Sequence, residues 1–212
     1  MFDVRLKENF KLFISGPSRC GKTFFTTELL ENINSFSKET PETILYIYKI
    51  WQIKFDEMRS IVDNFIQDNE NMVQQIKEIA QGQRIIVIFD DLINSKSLSE
   101  IATLFTVDGR HLNMSMIFLT QRMFVNNEYF RQISQNCDYL CIFKNPRNYL
   151  EIKTLAQQLT PGSLELIEIY KEATKTPFSY LFINLTQECD SKVKYLSHIF
   201  NEDHSLKVYN HD

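Results

Sequence analysis

Apolar residues fall along the chain in two alternating rhythms. Short unbroken runs read as strands: Phe10-Lys-Leu-Phe-Ile-Ser15, Ile44-Leu-Tyr-Ile-Tyr-Lys49, Ile85-Ile-Val-Ile-Phe89, Met114-Ser-Met-Ile-Phe-Leu-Thr120, Tyr139-Leu-Cys-Ile-Phe143 and Ser179-Tyr-Leu-Phe-Ile-Asn184. A continuous β-branched run such as 85–89 marks a strand buried on both faces of a parallel sheet. Between the runs, apolar residues recur at helical spacing. Phe24, Phe25, Leu29, Leu30 and Ile33 predict a helix from Lys22 to Asn34. The stretch 55–80, interrupted at Gln67-Asp-Asn-Glu70, reads as two helices. Pro146 opens another, Pro161-Gly162 breaks it, and Leu164 to Ala173 forms the next. Strands alternating with helices predict an α/β fold with right-handed crossovers and a mostly parallel sheet. The polar, His-bearing stretch 191–212 reads as a peripheral tail on a domain spanning 1–190.

Composition narrows the class. At 212 residues the chain has room for one domain, at roughly 100–200 residues each. Apolar residues make up 43% and charged residues 24%, which excludes disordered and collagen-like chains. Seventeen Phe and nine Tyr against a single Trp predict a core built on aromatic rings. Cys20, Cys137, Cys141 and Cys189 are too few and too scattered for a disulfide framework. Met1-Phe-Asp-Val-Arg5 lacks the apolar core of a signal peptide, and no apolar run approaches the ~18 residues of a membrane span. The expectation is a soluble intracellular chain with reduced thiols and no membrane anchor.

The net charge of −4 argues against a uniformly basic nucleic-acid coat. It is unevenly spread. From Arg110 to Lys153 the net charge is +3, leaving −7 for the rest.

Gly16-Pro-Ser-Arg-Cys-Gly-Lys-Thr23 fits G-x-x-x-x-G-K-[ST] in full, with an apolar strand entering and a helix leaving. Such a loop wraps a polyphosphate with its backbone N–H groups, so Gly16, Pro17, Ser18, Arg19, Cys20, Gly21, Lys22 and Thr23 are the candidate nucleotide-binding residues. Lys22 is expected to reach the β- and γ-phosphates, and Thr23 to place its hydroxyl on Mg²⁺. Asp90 ends a buried strand, where a carboxylate can hold that Mg²⁺. Asp91 is the candidate general base, with a helix cap as its rival role. Gln121 ends the next strand and faces the crevice where open α/β sheets bind ligands. It is placed to sense the γ-phosphate or orient water, or simply to satisfy loop backbone.

Other landmarks fall into an order that resembles a known group. Gly109-Arg-His111 precedes Leu119-Thr-Gln121, and Tyr48-Lys-Ile-Trp-Gln52, Phe143-Lys-Asn-Pro-Arg147 and Pro177-Phe-Ser-Tyr-Leu181 complete the set. The chain resembles the FtsK–HerA superfamily of DNA-pumping ATPases, and more closely the genome-packaging ATPases of double-stranded DNA viruses and of Polinton (Maverick) elements. The resemblance covers residues 8 to 188. It implies a RecA-like P-loop NTPase fold of the ASCE type and ATP hydrolysis with Mg²⁺. It also implies a homo-oligomeric ring (pentamer or hexamer), double-stranded DNA as the translocated partner, a capsid or portal-vertex protein at the dock, and action inside the host at the site of virion assembly. On the same ground Arg110 is the candidate finger serving a neighbouring subunit, with Arg122, Arg131 and Arg147 as competitors. Asp90-Asp91 departs from the Asp-Glu of many ring ATPases.

Two rival readings remain at this level. A P-loop nucleotide kinase shares the loop but adds a lid and a nucleoside pocket. A capsid-docking module would bind ATP without hydrolysing it. A guanine-reading Asn-Lys-x-Asp does not occur in the sequence.

Overall fold

All six apolar runs become strands, because β-branched and aromatic side chains pack well on a pleated surface. A computed structural model describes residues 4–147, 149–200 and 206–209. In chain order the strands are β1 (Lys11–Ser15), β2 (Thr43–Tyr48), β3 (Asn64–Gln67), β4 (Ile85–Asp90), β5 (Met114–Thr120), β6 (Tyr139–Phe143), β7 (Tyr180–Asn184), β8 (Tyr195–Ser197) and β9 (Lys207–Tyr209). They form one sheet in the order β3-β2-β4-β5-β1-β6-β7-β8-β9. The ladders from β3 to β6 are parallel, and those joining β6, β7, β8 and β9 are antiparallel.

The helices are α1 (Lys22–Glu31), α2 (Ile33–Phe36), α3 (Met72–Ile79), α4 (Leu98–Thr103), α5 (Gly109–His111), α6 (Glu128–Gln135), α7 (Tyr149–Leu159) and α8 (Glu165–Ala173). Strand alternation divides the core between the two sheet faces. Leu12, Ile14, Tyr46, Ile86, Ile88 and Leu119 pack with Phe25 and Leu29 of α1. Phe13, Leu45, Val87, Phe89 and Phe118 pack with α3, α4, α6, α7 and α8. The aromatic excess has a definite place here. Phe13, Phe118 and Phe89 are register partners on β1, β5 and β4, and their rings stack at 6.1 and 6.4 Å. Phe130 stands edge-on to Phe13, and Phe105 edge-on to Phe118. Such pairs contribute about 0.5–1.5 kcal/mol each beyond their burial.

Four expectations are corrected. The stretch 55–80 is a 3₁₀ helix (Ile53–Ser60), the edge strand β3 and α3, not two helices. A four-residue strand is too short for its alternation to outweigh the helical pattern around it. The helix expected over Lys22–Asn34 breaks at Asn32 into α1 and α2. Pro146 sits in a turn, and its helix begins at Tyr149. The stretch 191–212, expected as a tail, supplies β8 and β9; Tyr195, Leu196 and Tyr209 bury against the sheet and draw it in. Residues 201–205 and 210–212 lie outside the described residues. The sequence reading also passed over α4 to α6, where a π-helical segment, Leu104–Asp108, joins α4 to α5. Among the described residues no helix is long and apolar enough to cross a membrane.

Candidate functional site

Parallel register brings the ends of β1, β4 and β5 to one edge: Ser15 pairs with Thr120, and Asp90 with Leu119. β5 lies between the strand that feeds the loop and the strand that ends in Asp90, so those two stand about 10 Å apart. That gap leaves room for a ligand between loop and carboxylates.

The loop leaves β1 with the Gly16 N–H donating to the Thr120 carbonyl at 3.2 Å. Any side chain at Gly16 would collide with Cys20 Sγ and Phe143 Cβ, each 2.6 Å from where its Cβ would stand. Gly21 turns the chain into α1 at φ +108°, a conformation that L side chains rarely adopt. α1 has no side-chain cap, so its first-turn N–H groups face the loop and present a partial positive charge. Lys22 folds back over the loop and donates to the carbonyls of Gly16 at 2.7 Å and Pro17 at 3.0 Å. Burial lowers its pKa from the ordinary lysine value, against the pull of Cys20, Asp90 and Asp91. Burial pushes the Cys20 thiol up.

Across the gap, Asp90 Oδ2 accepts a hydrogen bond from the Tyr46 hydroxyl at 2.9 Å. Tyr46 stands two residues before Tyr48, the register partner of Asp90, on the same face of β2. Burial raises the Asp90 pKa, while the Tyr46 bond and the charges of Lys54 and Lys22 pull it back down. Asp91 lies in the left-handed region at φ +55°, held there by its N–H bond to the Leu119 carbonyl at 3.0 Å. Its carboxylate accepts from the Gln121 side-chain amide at 3.0 Å. It caps no helix, since α4 starts only at Leu98 behind Ser97.

Arg19, Gly21, Lys22, Thr23, Asp90, Asp91 and Gln121 thus line one cavity of about 710 Å³. The donors fit a hard cation: a threonine hydroxyl on one side and a carboxylate on the other. Among the described residues no three His, Cys, Asp or Glu gather, so a Mg²⁺ here would complete its shell with phosphate oxygens and water.

Arg110 is not in this cavity. It is exposed on α5, before β5 begins, and lines a separate cleft with Lys7, Lys11 and Asp138. The seven residues of β5, roughly 23 Å, separate it from Gln121. Gly109 sets its position, because a Cβ there would meet the Met116 side chain and the Leu104 carbonyl. The basic stretch does not form one patch either. Arg110 lies at the amino edge of the sheet, whereas Arg122 and Lys144 follow β5 and β6 at the carboxyl edge. Trp51 packs against Tyr48, Phe55 and Phe65.

Sequence reasoning missed Lys54, Phe24 and Phe178 in the cavity wall, and Tyr46 behind it as the buried partner of Asp90. Alternation along β2 could have placed Tyr46 on the α1 face. Lys54 carried no signal, being an exposed lysine in the chain; its Nζ donates to Thr23 Oγ1. Phe24 and Phe178 line the cavity while staying 74% and 70% exposed, an unusual state for phenyl rings. Neither makes a ring contact among the described residues.

The family model described as Poxvirus A32 protein matches residues 2–157. No curated protein matches the sequence. Among solved structures, the chain is similar to the genome packaging NTPase B204 from Sulfolobus turreted icosahedral virus 2 in complex with sulfate. That match has a TM-score of 0.57 and 10% identity, covering 95% of this chain and 96% of that one. The same protein in complex with ATP-gammaS gives 0.53 and 11% identity over 99% and 98%. The cytoplasmic domain of the Thermomonospora curvata type VII secretion ATPase EccC gives 0.56 and 12% identity, over 88% of this chain and 27% of that one. At such identities the likeness is one of fold.

Proposed function

The chain belongs to the Poxvirus A32 protein family, and from that premise we propose that it is an ATP-hydrolysing subunit of a viral genome-packaging motor. One observation carries the reading. The phosphate loop, Asp90, Asp91 and Gln121 come from three separate chain segments and meet around one cavity at the carboxyl edge of the sheet. That is the set of groups that phosphoanhydride hydrolysis requires.

In this account the loop amides, the first turn of α1 and Lys22 hold the triphosphate. Lys22 exchanges its two loop carbonyls for phosphate oxygens, which bond an ammonium more strongly. Thr23 and Asp90 would hold a Mg²⁺, which when bound neutralises charge on the phosphates. Asp91 takes the proton of the attacking water. Gln121, bonded to Asp91, orients that carboxylate and faces the terminal phosphate. The apolar wing of the cavity, walled by Phe24 and Phe178, receives the base.

Arg110 cannot reach its own cavity along a strand of that length, so its catalytic role is assigned to a neighbouring subunit's site in a ring. Double-stranded DNA is the translocated partner, and the capsid or its portal vertex the dock. The landmarks shared with Polinton ATPases remain the basis for placing the chain near that branch. The test is ATP turnover of the wild type against Lys22→Ala: the account predicts loss of turnover in the variant, and equal rates would overturn it.

A further inference from the structure

We propose that Lys54 is a second lysine for the terminal phosphate of the bound nucleotide, acting within its own subunit, and that its movement is transmitted to Trp51. The inference rests on the ATP-site reading above and adds a residue and a reporter to it.

Lys54 is the second residue of the 3₁₀ helix that follows β2, and the next residue, Phe55, is fully buried. Its backbone is therefore anchored while its long side chain stays free to reach. The reach goes into the cavity: Lys54 lines it with Lys22, Thr23 and Asp90, and its ammonium donates to the Thr23 hydroxyl. A neutral hydroxyl is a weak partner for an ammonium with three donors. The nearby carboxylates hold other partners, Tyr46 on Asp90 and Gln121 on Asp91. Among the described residues Lys54 makes no ion pair. A cation held in a phosphate cavity without a direct ion pair is matched to an incoming anion. Its charge already bears on both neighbours: it opposes the burial that raises the Asp90 pKa and adds to the burial that lowers that of Lys22.

The Thr23 hydroxyl cannot serve both Lys54 and a divalent cation, because the two cations repel and compete for the same lone pairs. Loading therefore displaces Lys54 from Thr23, and the newly arrived anionic oxygens are those of the phosphate. Lys54 lies three residues after Trp51. The Trp51 ring touches Tyr48, Phe55 and Phe65 at 5.2–5.5 Å, with the Arg59 guanidinium 4.9 Å over its face. The segment between Ile50 and Ile53, exposed at 74% and 87%, is apolar surface that would shift with it. Trp51 is the only tryptophan in the chain, so its emission reports on this segment alone.

The experiment uses the full chain with Mg²⁺, ATP-gammaS and ADP. Calorimetry measures affinity, and Trp51 emission measures the movement. Lys54→Met is expected to weaken ATP-gammaS about tenfold or more, the effect of one charge-assisted hydrogen bond, and to leave ADP within about twofold. Mg²⁺ frees Lys54 from Thr23 with either nucleotide, so wild-type emission should show an added change over ADP with ATP-gammaS, where the terminal phosphate captures the ammonium. Lys54→Met should abolish that change and Lys54→Arg should retain it. Equal weakening of both nucleotides, no weakening of either, or the same emission response to both would overturn the role of Lys54. A wild type that binds neither nucleotide would instead overturn the ATP-site reading, and the Lys54 role with it.

Discussion

The Gln121 side-chain amide donates to Asp91 Oδ2 at 3.0 Å, joining the residue that follows β5 to the one that follows β4. Asp91 is held in the left-handed region at φ +55° and points its carboxylate at this partner. A general base oriented by a neighbouring amide should lose rate, not affinity, when either is removed. Asp91→Asn is expected to lower kcat about 10²–10⁴-fold with nucleotide affinity retained. Gln121→Ala should follow in the same direction with a smaller loss. Steady-state kinetics beside direct binding checks the split, and a loss confined to affinity contradicts it.

Asp90 gives a stability prediction of definite sign. Burial raises its pKa in the folded chain above the unfolded value, so the folded state binds the proton more tightly. Stability is therefore favoured at acid pH and falls as pH rises from the unfolded pKa through the folded one. Asp90→Asn keeps an acceptor for Tyr46 and removes the buried charge. Denaturant unfolding should show the variant more stable than wild type at pH 7 and converging with it once the pH falls below the unfolded carboxylate pKa. Turnover should be lost at the same time. A variant less stable at pH 7 would count against the burial argument.

Phe24 and Phe178 form the apolar wing of the cavity, and stacking on such rings contributes about 1–3 kcal/mol per base. Phe24→Ala or Phe178→Ala should weaken ATP binding roughly 5- to 150-fold. Inorganic tripolyphosphate, which has no base, should bind the variants as it binds wild type. Parallel losses for both ligands would mean that the rings shape the loop and not the base site.

The placement of Arg110 predicts complementation. In the proposed ring, Lys22→Ala should fail at its own cavity but still offer Arg110, whereas Arg110→Ala should keep its cavity and lack the finger. A mixture of the two inactive proteins should regain part of the wild-type turnover under assembling conditions. No recovery on mixing sinks the assignment between subunits.

The phosphate loop and the strands that flank it were legible because glycine positions and unbroken apolar runs are local in sequence. Asp90, Asp91 and Gln121 were legible for a related reason: each follows directly on such a run. Lys54, Phe24 and Phe178 were not. Their part in the cavity depends on contacts between distant segments, and an exposed lysine or phenylalanine has no local pattern to mark it. β3, β8 and β9 escaped because three- or four-residue strands are stabilised by the sheet they join and not by their own alternation. The charge count misled in a similar way. Arg110 and Lys144 share a basic stretch in the chain, yet the sheet separates them to opposite edges.

The most direct test of the motor reading is ATP turnover per subunit as a function of protein concentration, with and without duplex DNA. The account predicts a low rate in dilute protein that rises steeply with concentration, and a further rise when DNA is added. A high rate in dilute monomer, unchanged by concentration and by DNA, would contradict it.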